Sequence, residues 1–333
     1  MNQPVGSVTK RPHYVPAVYL RAWADESNRV AVRRRASERP FVTAVVNVGV
    51  EAGLYGRGDD AIAREEMFGR LEDDWPRLRA RLIDSGDIQG EERDEVALFM
   101  ALQFVRTSES IARRNFVASV AEHADERTVS RDTVRRFLAE KHLGFEPRDA
   151  EVEGAWSIVS YVLSHGGPPT RDEMFNMAVD LAVKEYAPKF SRMVWAVETC
   201  RKRILFTSNR PVMCWRPKTF RDRFEGISID NANEIRLPLR PDSMLVLRRQ
   251  AEGQGLVRVE PRRFAQVNID IAAQCFNFVV TRPRRIGDLG RLQMAVRLPS
   301  VRFNMAPGWQ QSPDGYVEPM GDVIHQWVPV RET

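Results

Sequence analysis

The stretch RDEMFNMAVDLAVKEYAPKFSRMVWAVETC, residues 171–200, holds the change of pattern on which the fold turns. Up to Tyr186 its residues fit a short helix. Past Pro188, the run Met193-Val194-Trp195-Ala196-Val197 is rich in β-formers. Working toward the N-terminus, the pattern stays helical. Ile62, Met67, Leu71, Trp75, Leu78 and Leu82 recur at mostly three-to-four-residue steps, with Asp59 and Asp60 as N-cap candidates. Pro76 removes a backbone donor and predicts a kink or restart of that helix. A second helix is expected over 91–121, with Glu91 and Glu92 at its positive end and a buried face of Val96, Phe99, Met100, Phe104 and Ile111. Shorter helices fit 132–142, 150–163 and 171–186, and Gly166-Gly167-Pro168-Pro169 breaks the last two apart.

Working toward the C-terminus, short strands are expected at 204–207, 244–247 and 256–259. Glu252-Gly253-Gln254-Gly255 reads as a hairpin turn between the last two. A helical period returns over 264–278, and the tail from Pro307 reads as irregular, with Trp309, Tyr316 and Trp327 as packing residues. Two early strands, Arg29–Arg34 and Phe41–Val46, precede the first long helix and are candidates to join the later sheet. The expected class is therefore α+β, a helical N-terminal half (1–190) packed on a mainly antiparallel β C-terminal half (191–333). One interwoven domain is the alternative.

With 333 residues, 43% hydrophobic and 29% charged, the composition excludes collagen, wholesale disorder and a disulfide-built miniprotein. Three cysteines, Cys200, Cys214 and Cys275, stand far apart and cannot make a four-thiolate zinc site. Lys10 and Arg11 are followed by no apolar core, and no stretch reaches the ~20 apolar residues of a membrane span. A cytoplasmic bacterial-type protein with no membrane partner is the expectation. Charge is uneven: residues 201–333 carry 22 Lys and Arg against 13 Asp and Glu, and the first 200 carry 28 against 32. Arginine suits bidentate phosphate contact, so RNA, DNA or another polyanion is the partner this half suggests. The alternative is an arginine-rich surface whose guanidinium groups are solvated or paired.

Familiar motifs are missing. The sequence has no GxxxxGK[ST], GxGxxG after a strand, HExxH or GxSxG, and its five histidines are not paired at metal-ligand spacing. What stands out is the segment from His13 to Trp23, with a histidine and three aromatics in eleven residues and Pro12 and Pro16 around His13. A pre-set backbone can hold an imidazole for general acid–base work or metal ligation. The structural alternative is a His–Tyr pair docking the N-terminus, followed by a helix whose Tyr19 and Trp23 face the core.

The string His13-Tyr14-Val15-Pro16-x-x-Tyr19-Leu20-x-x-Trp23 resembles the opening motif of the bacterial domain of unknown function 4238 family, which ends in Phe where Trp23 stands. The resemblance extends to a spaced acidic pair (Glu65 or Glu66 with Glu72), to Gln103-Phe104-Val105-Arg106-Thr107 and to Phe206-Thr207-Ser208-Asn209-Arg210-Pro211-Val212. It also takes in the proline-punctuated Leu237-Pro238-Leu239-Arg240-Pro241, and so covers roughly residues 10–280. Asn209 stands where the family commonly has Asp. The resemblance implies no particular activity.

The chemistry of those positions is suggestive. Glu65 and Glu72, seven apart, share a helix face, as do Gln103 and Arg106, three apart. If the two helices pack antiparallel, the four meet His13 in one cleft. That set suits metal-assisted phosphodiester hydrolysis. Glu65 and Glu72 would ligate Mg or Mn, His13 would be the base, Arg106 would stabilise the phosphorane charge and Gln103 would complete the cluster. Ser208, Asn209, Arg210, Arg216, Arg221 and Arg223 are the candidate anion- or nucleic-acid-binding set. A nuclease-like effector of phage defence or of a toxin system is the reading by analogy. Against it stand a structural Glu–Arg bridge between helices, a strand-end turn whose polar side chains bond their own backbone, a non-catalytic nucleic-acid or protein-binding module, and a small-molecule sensor.

Overall fold

The computed structural model describes residues 12–35, 37, 39–51, 59–107, 110–111, 115–124, 128–143, 146–168, 170–217, 227–250, 253–292, 294, 300–303, 309–311, 317–319 and 325–328. The helices are α1 (Ala17–Leu20), α2 (Asp59–Ser85), α3 (Glu91–Val105), α4 (Phe116–Glu122), α5 (Arg131–Phe137), α6 (Asp149–Ser164), α7 (Arg171–Leu181), α8 (Ala187–Arg192), α9 (Pro261–Gln274) and α10 (Ile286–Gly290). The chain divides into two compact units, each assembled from separate stretches. The first comprises Met1–Ile111, Arg171–Arg216 and Ile229–Val296; the second comprises Ala112–Thr170, Pro217–Ser228 and Arg297–Thr333.

The first unit is built on two sheets. Strands β1 (Arg29–Arg34), β2 (Phe41–Ala44), β4 (Thr207–Ser208) and β9 (Phe278–Thr281) form an antiparallel sheet in the order β2-β1-β9-β4. Val32 lies opposite Val280, so the early strands do join the later ones. The second sheet runs β5-β6-β7-β3-β8, from β3 (Val194–Thr199), β5 (Met213–Trp215), β6 (Glu234–Arg240), β7 (Ser243–Arg248) and β8 (Gly255–Arg258). Its pairs are antiparallel except β3 with β8. The fold is α+β.

Both faces of the five-stranded sheet are covered, which explains why β7 is apolar and buried along nearly its whole length. Trp195, Val197, Ile235, Leu237, Leu245 and Leu247 point to a core shared with Tyr19, Trp23, Trp75, Leu78, Phe99 and Met100. Met213, Met244 and Val246 point the other way, to Phe264, Val267 and Ile271 of α9. Each such side chain contributes about 1.5–3 kcal/mol on burial. In the second unit, α4, α5 and α6 close a separate core of Phe116, Val120, Val134, Phe137, Val152 and Val159.

Several sequence expectations change. The helix of 59–85 runs on through Pro76. What the proline removes is the bond that would have reached the Glu72 carbonyl four residues back. The next helix stops at Val105 instead of continuing to 121. Thr107 Oγ1 accepts the Ser110 N–H at 3.2 Å and Ser110 Oγ donates to the Phe104 carbonyl, so side chains compete with the helical ladder there. The expected β7–β8 hairpin does not form. β6 and β3 already occupy both edges of β7, and β8 crosses over to pair in parallel with β3, Leu256 opposite Val197. The tail is not wholly irregular: Ser300–Phe303 pairs with His325–Val328, and Trp309–Gln311 with Val317–Pro319.

Candidate functional site

The N-terminal segment is fixed from both sides. His13 makes an antiparallel bridge to Val50, and Tyr14 N–H donates to the Gly49 carbonyl at 2.7 Å. Gly49 has φ +70°, and a Cβ there would stand 2.9 Å from the Val15 Cβ, so the two backbones pass this closely only with glycine. Pro16 then leads into α1. Tyr19 donates its hydroxyl to the Pro238 carbonyl at 2.9 Å and shares a bond with Thr207 Oγ1 at 2.7 Å. Trp23 Nε1 donates to the Leu205 carbonyl at 2.9 Å. Tyr19 and Trp23, their rings 5.2 Å apart, thus face the core as the structural reading of the motif expects.

This docking carries His13 to α2 and α3. Arg106, the first residue past α3, is fully buried. Its Nη2 donates to Glu72 Oε1 at 2.8 Å, and its guanidinium lies 4.6 Å from the Phe68 ring centroid. With its amide oxygen turned toward the guanidinium, Gln103 accepts from Arg106 Nε and Nη2, both at 2.7 Å. Glu72 keeps 25% of its side chain exposed and is the open end of the cluster. Burial lowers the His13 pKa below its ordinary value; the Glu72 carboxylate opposes this, Arg106 adds to it, and the Val46 carbonyl holds the ring. Glu72, Gln103 and Arg106 are therefore bonded in one cluster, and His13 lies within electrostatic reach of Glu72 and Arg106. Glu65, half-buried, stands two helical turns before Glu72, about 10.5 Å along the axis. Among the described residues no group of three or more His, Cys, Asp or Glu could hold a metal ion.

The expected anion-binding set divides. Ser208 Oγ accepts the Arg210 N–H at 3.1 Å and donates back to the Arg210 carbonyl at 3.2 Å. Asn209 is fully buried, and its Oδ1 accepts the N–H groups of Phe276, Asn277 and Phe278 at 2.9, 2.8 and 3.3 Å. Both residues are thus engaged by the chain itself, in a turn that anchors the start of β9. Asn209 works as an acceptor there, its Nδ2 having no partner among the described residues, so a carboxylate would serve in the same place. Arg210 and Arg216 are half-buried; Arg221 and Arg223 lie outside the described residues. Cys214 is buried as expected, its thiol pushed up to about 12 by burial.

Sequence reasoning missed an ionic network between the five-stranded sheet and α9. Glu198 accepts from Arg248 Nη2 at 2.5 Å and Arg263 Nε at 2.8 Å. Glu234 accepts from Arg236 Nε at 2.6 Å, Arg263 Nη2 at 2.7 Å and Arg248 Nη2 at 2.8 Å. Arg236 also donates to Asp270 at 2.8 Å and lies 4.2 Å from the Trp215 ring centroid. Burial alone would push Glu234 up; Arg236, Arg263 and Arg248 outweigh it and hold the carboxyl at about 2. The signal was available. Glu234 and Arg236 are two apart in an apolar strand, a spacing that puts both charges on one face. Arg236, Arg248 and Arg263 belong to the basic excess of 201–333, so part of that excess is neutralised internally. Arg201, Lys202, Arg203, Arg284, Arg285 and Arg291 are exposed.

The fold and site define an α+β protein whose N-terminal histidine motif is docked within electrostatic reach of a Glu72–Gln103–Arg106 cluster, buried at Gln103 and Arg106 and open at Glu72. Its sequence matches, over residues 11–285, the family model described as protein of unknown function (DUF4238), and the chain belongs to that family. No curated protein and no solved structure matches it. Among the described residues no helix is long and apolar enough to cross a membrane.

Proposed function

We propose that the protein cleaves phosphodiesters of RNA or DNA, with His13 as general base near the Glu72–Gln103–Arg106 cluster. The observation that supports this reading is the Glu72–Arg106 ion pair with His13 within electrostatic reach of both, drawn from three separate elements of the chain. A half-buried imidazole with a lowered pKa is neutral near pH 7 and can accept a proton. A Mg²⁺ or Mn²⁺ ion would take Glu72, whose carboxylate is partly open, with Glu65 as the further carboxylate. Mg²⁺ commonly uses one or two carboxylates and completes its shell with waters and substrate phosphate, so a ready-made cage of three protein ligands is not required. Arg106 then acts through Glu72, fixing its position from the buried side. A second reading, a binding module without turnover, draws on the exposed Arg201-Lys202-Arg203 run.

The test is incubation with end-labelled single-stranded RNA, single-stranded DNA and duplex DNA in Mg²⁺, Mn²⁺ or EDTA. Cleavage should need the metal and fall about 10²–10⁴-fold in His13→Ala. Because the pKa of His13 is lowered, the rate should hold below pH 6.5 and drop only as pH falls through the lowered value. Binding with a steep salt dependence and no cleavage would select the second reading. Cleavage unchanged in His13→Ala would remove this site from the chemistry.

A further inference from the structure

Around Tyr19 the structure leaves hydrogen-bond donors without acceptors. Trp75, fully buried and stacked on Phe99 at 4.0 Å, has no partner for Nε1 among the described residues. One turn later on α2, half-buried Arg79 has no partner for its buried Nη1, and no carboxylate among the described residues pairs with its guanidinium. Positions four apart share a face of α2, so Arg79 lies on the same side of the helix as Trp75, within electrostatic reach of Tyr19. The Trp75 ring is 6.3 Å from Tyr19, whose hydroxyl is taken by Pro238 and Thr207. Two residues beyond Pro238, Arg240 supplies a second guanidinium close enough to disfavour charge on Arg79. Asp242 Oδ1 accepts from the Arg240 Nε at 2.5 Å and from the Ser243 hydroxyl at 2.9 Å.

An orphaned buried N–H and an unpaired guanidinium are each costly, and two like charges side by side add to the cost. A water molecule could satisfy the donors but not the charge. We infer that Trp75 and Arg79, with the Arg240 guanidinium beside them, form a binding site for a small oxyanion, and that the ligand is a phosphate group. A planar guanidinium fork matches phosphate oxygens two at a time, and the indole N–H supplies a third donor. Full burial of Trp75 and Tyr19 restricts the occupant to a compact group, a free phosphate or the terminal phosphate of a larger molecule. The inference stands apart from the phosphodiesterase reading and uses none of its residues.

Titration of the full chain with inorganic phosphate, followed by calorimetry and thermal unfolding at constant ionic strength, tests it. Binding should saturate, with Tm rising roughly 5 °C at a hundredfold excess over Kd. Arg79→Met should abolish the rise, and in phosphate-free buffer should melt no lower than the wild type, since the guanidinium it removes has no partner. Trp75→Phe keeps an aromatic ring in the stack but removes the N–H together with the five-membered ring, so it should weaken binding about tenfold and serves if Arg79→Met fails to fold. An equal rise in wild type and both variants, or no saturable binding by the wild type, overturns the proposal. Acetate acting as strongly as phosphate overturns the phosphate assignment. A phosphorylated oligonucleotide end competing with free phosphate would identify the larger source.

Discussion

Two Arg–Glu clusters of the first unit, of similar composition, are completed in opposite ways. In the network on β3, β6, β7 and α9, three arginines face three acids, and each glutamate accepts from two or more guanidinium groups. Every carboxylate in it is engaged, while the buried Arg236 Nη2 has no partner among the described residues. In the cluster of α2 and α3, one fully buried arginine donates to Glu72 and Gln103, and the Glu72 carboxylate is partly exposed, within electrostatic reach of His13. The comparison teaches that buried charge by itself does not mark a site. What separates a brace from a reactive group is whether the ion pair is saturated by protein and whether one member still reaches solvent.

The contrast can be broken at its strongest point first. Glu234→Ala leaves buried Arg236 beside Arg248 and Arg263 without their shared acceptor and should destabilise the protein by about 3–5 kcal/mol in urea unfolding. Activity per folded molecule should be unaffected. The same carboxylate sets a pH dependence. Its folded pKa lies near 2 against 4.5 for the free group, so its contribution is present above pH 4.5 and lost as pH falls toward 2. That amounts to something on the order of 3 kcal/mol. Unfolding curves from pH 6 to pH 2 should show this slope, and Glu234→Gln should flatten it. The smallest stability effect belongs to the open cluster. Glu72→Gln keeps an amide oxygen for Arg106 and should cost about 1 kcal/mol while suppressing cleavage. A Glu72→Gln loss as large as that of Glu234→Ala would show both clusters to be braces.

Much of this architecture is written locally. Trp75, Leu78 and Leu82 mark the buried face of α2, and the β-formers after Pro188 mark β3. Non-local pairing is not. Nothing in Gly255–Arg258 says that it will lie beside β3, because that depends on which edges of β7 are already taken. The end of α3 also escaped the pattern: Ile111 continues the apolar period, but the hydroxyls of Thr107 and Ser110 break the ladder before it. In the site, the bonding of Glu72 with Arg106 and of Arg106 with Gln103 was legible from spacing. The burial of Ser208 and Asn209 was not, since a polar turn looks alike whether its side chains face water or the N–H groups of a strand some 70 residues away.

The pairing of β1 with β9 has a consequence for how the molecule comes into being. The His13 segment leaves the ribosome early, yet its anchors are Leu205, Thr207 and Pro238, and the sheet beside it closes only when Phe278–Thr281 has emerged. A nascent or truncated chain therefore carries the motif in an unassembled form, through a long interval in which contacts of high sequence separation are still missing. The order of synthesis thus delays the full anchoring of the motif until Phe278–Thr281 has emerged and paired with β1.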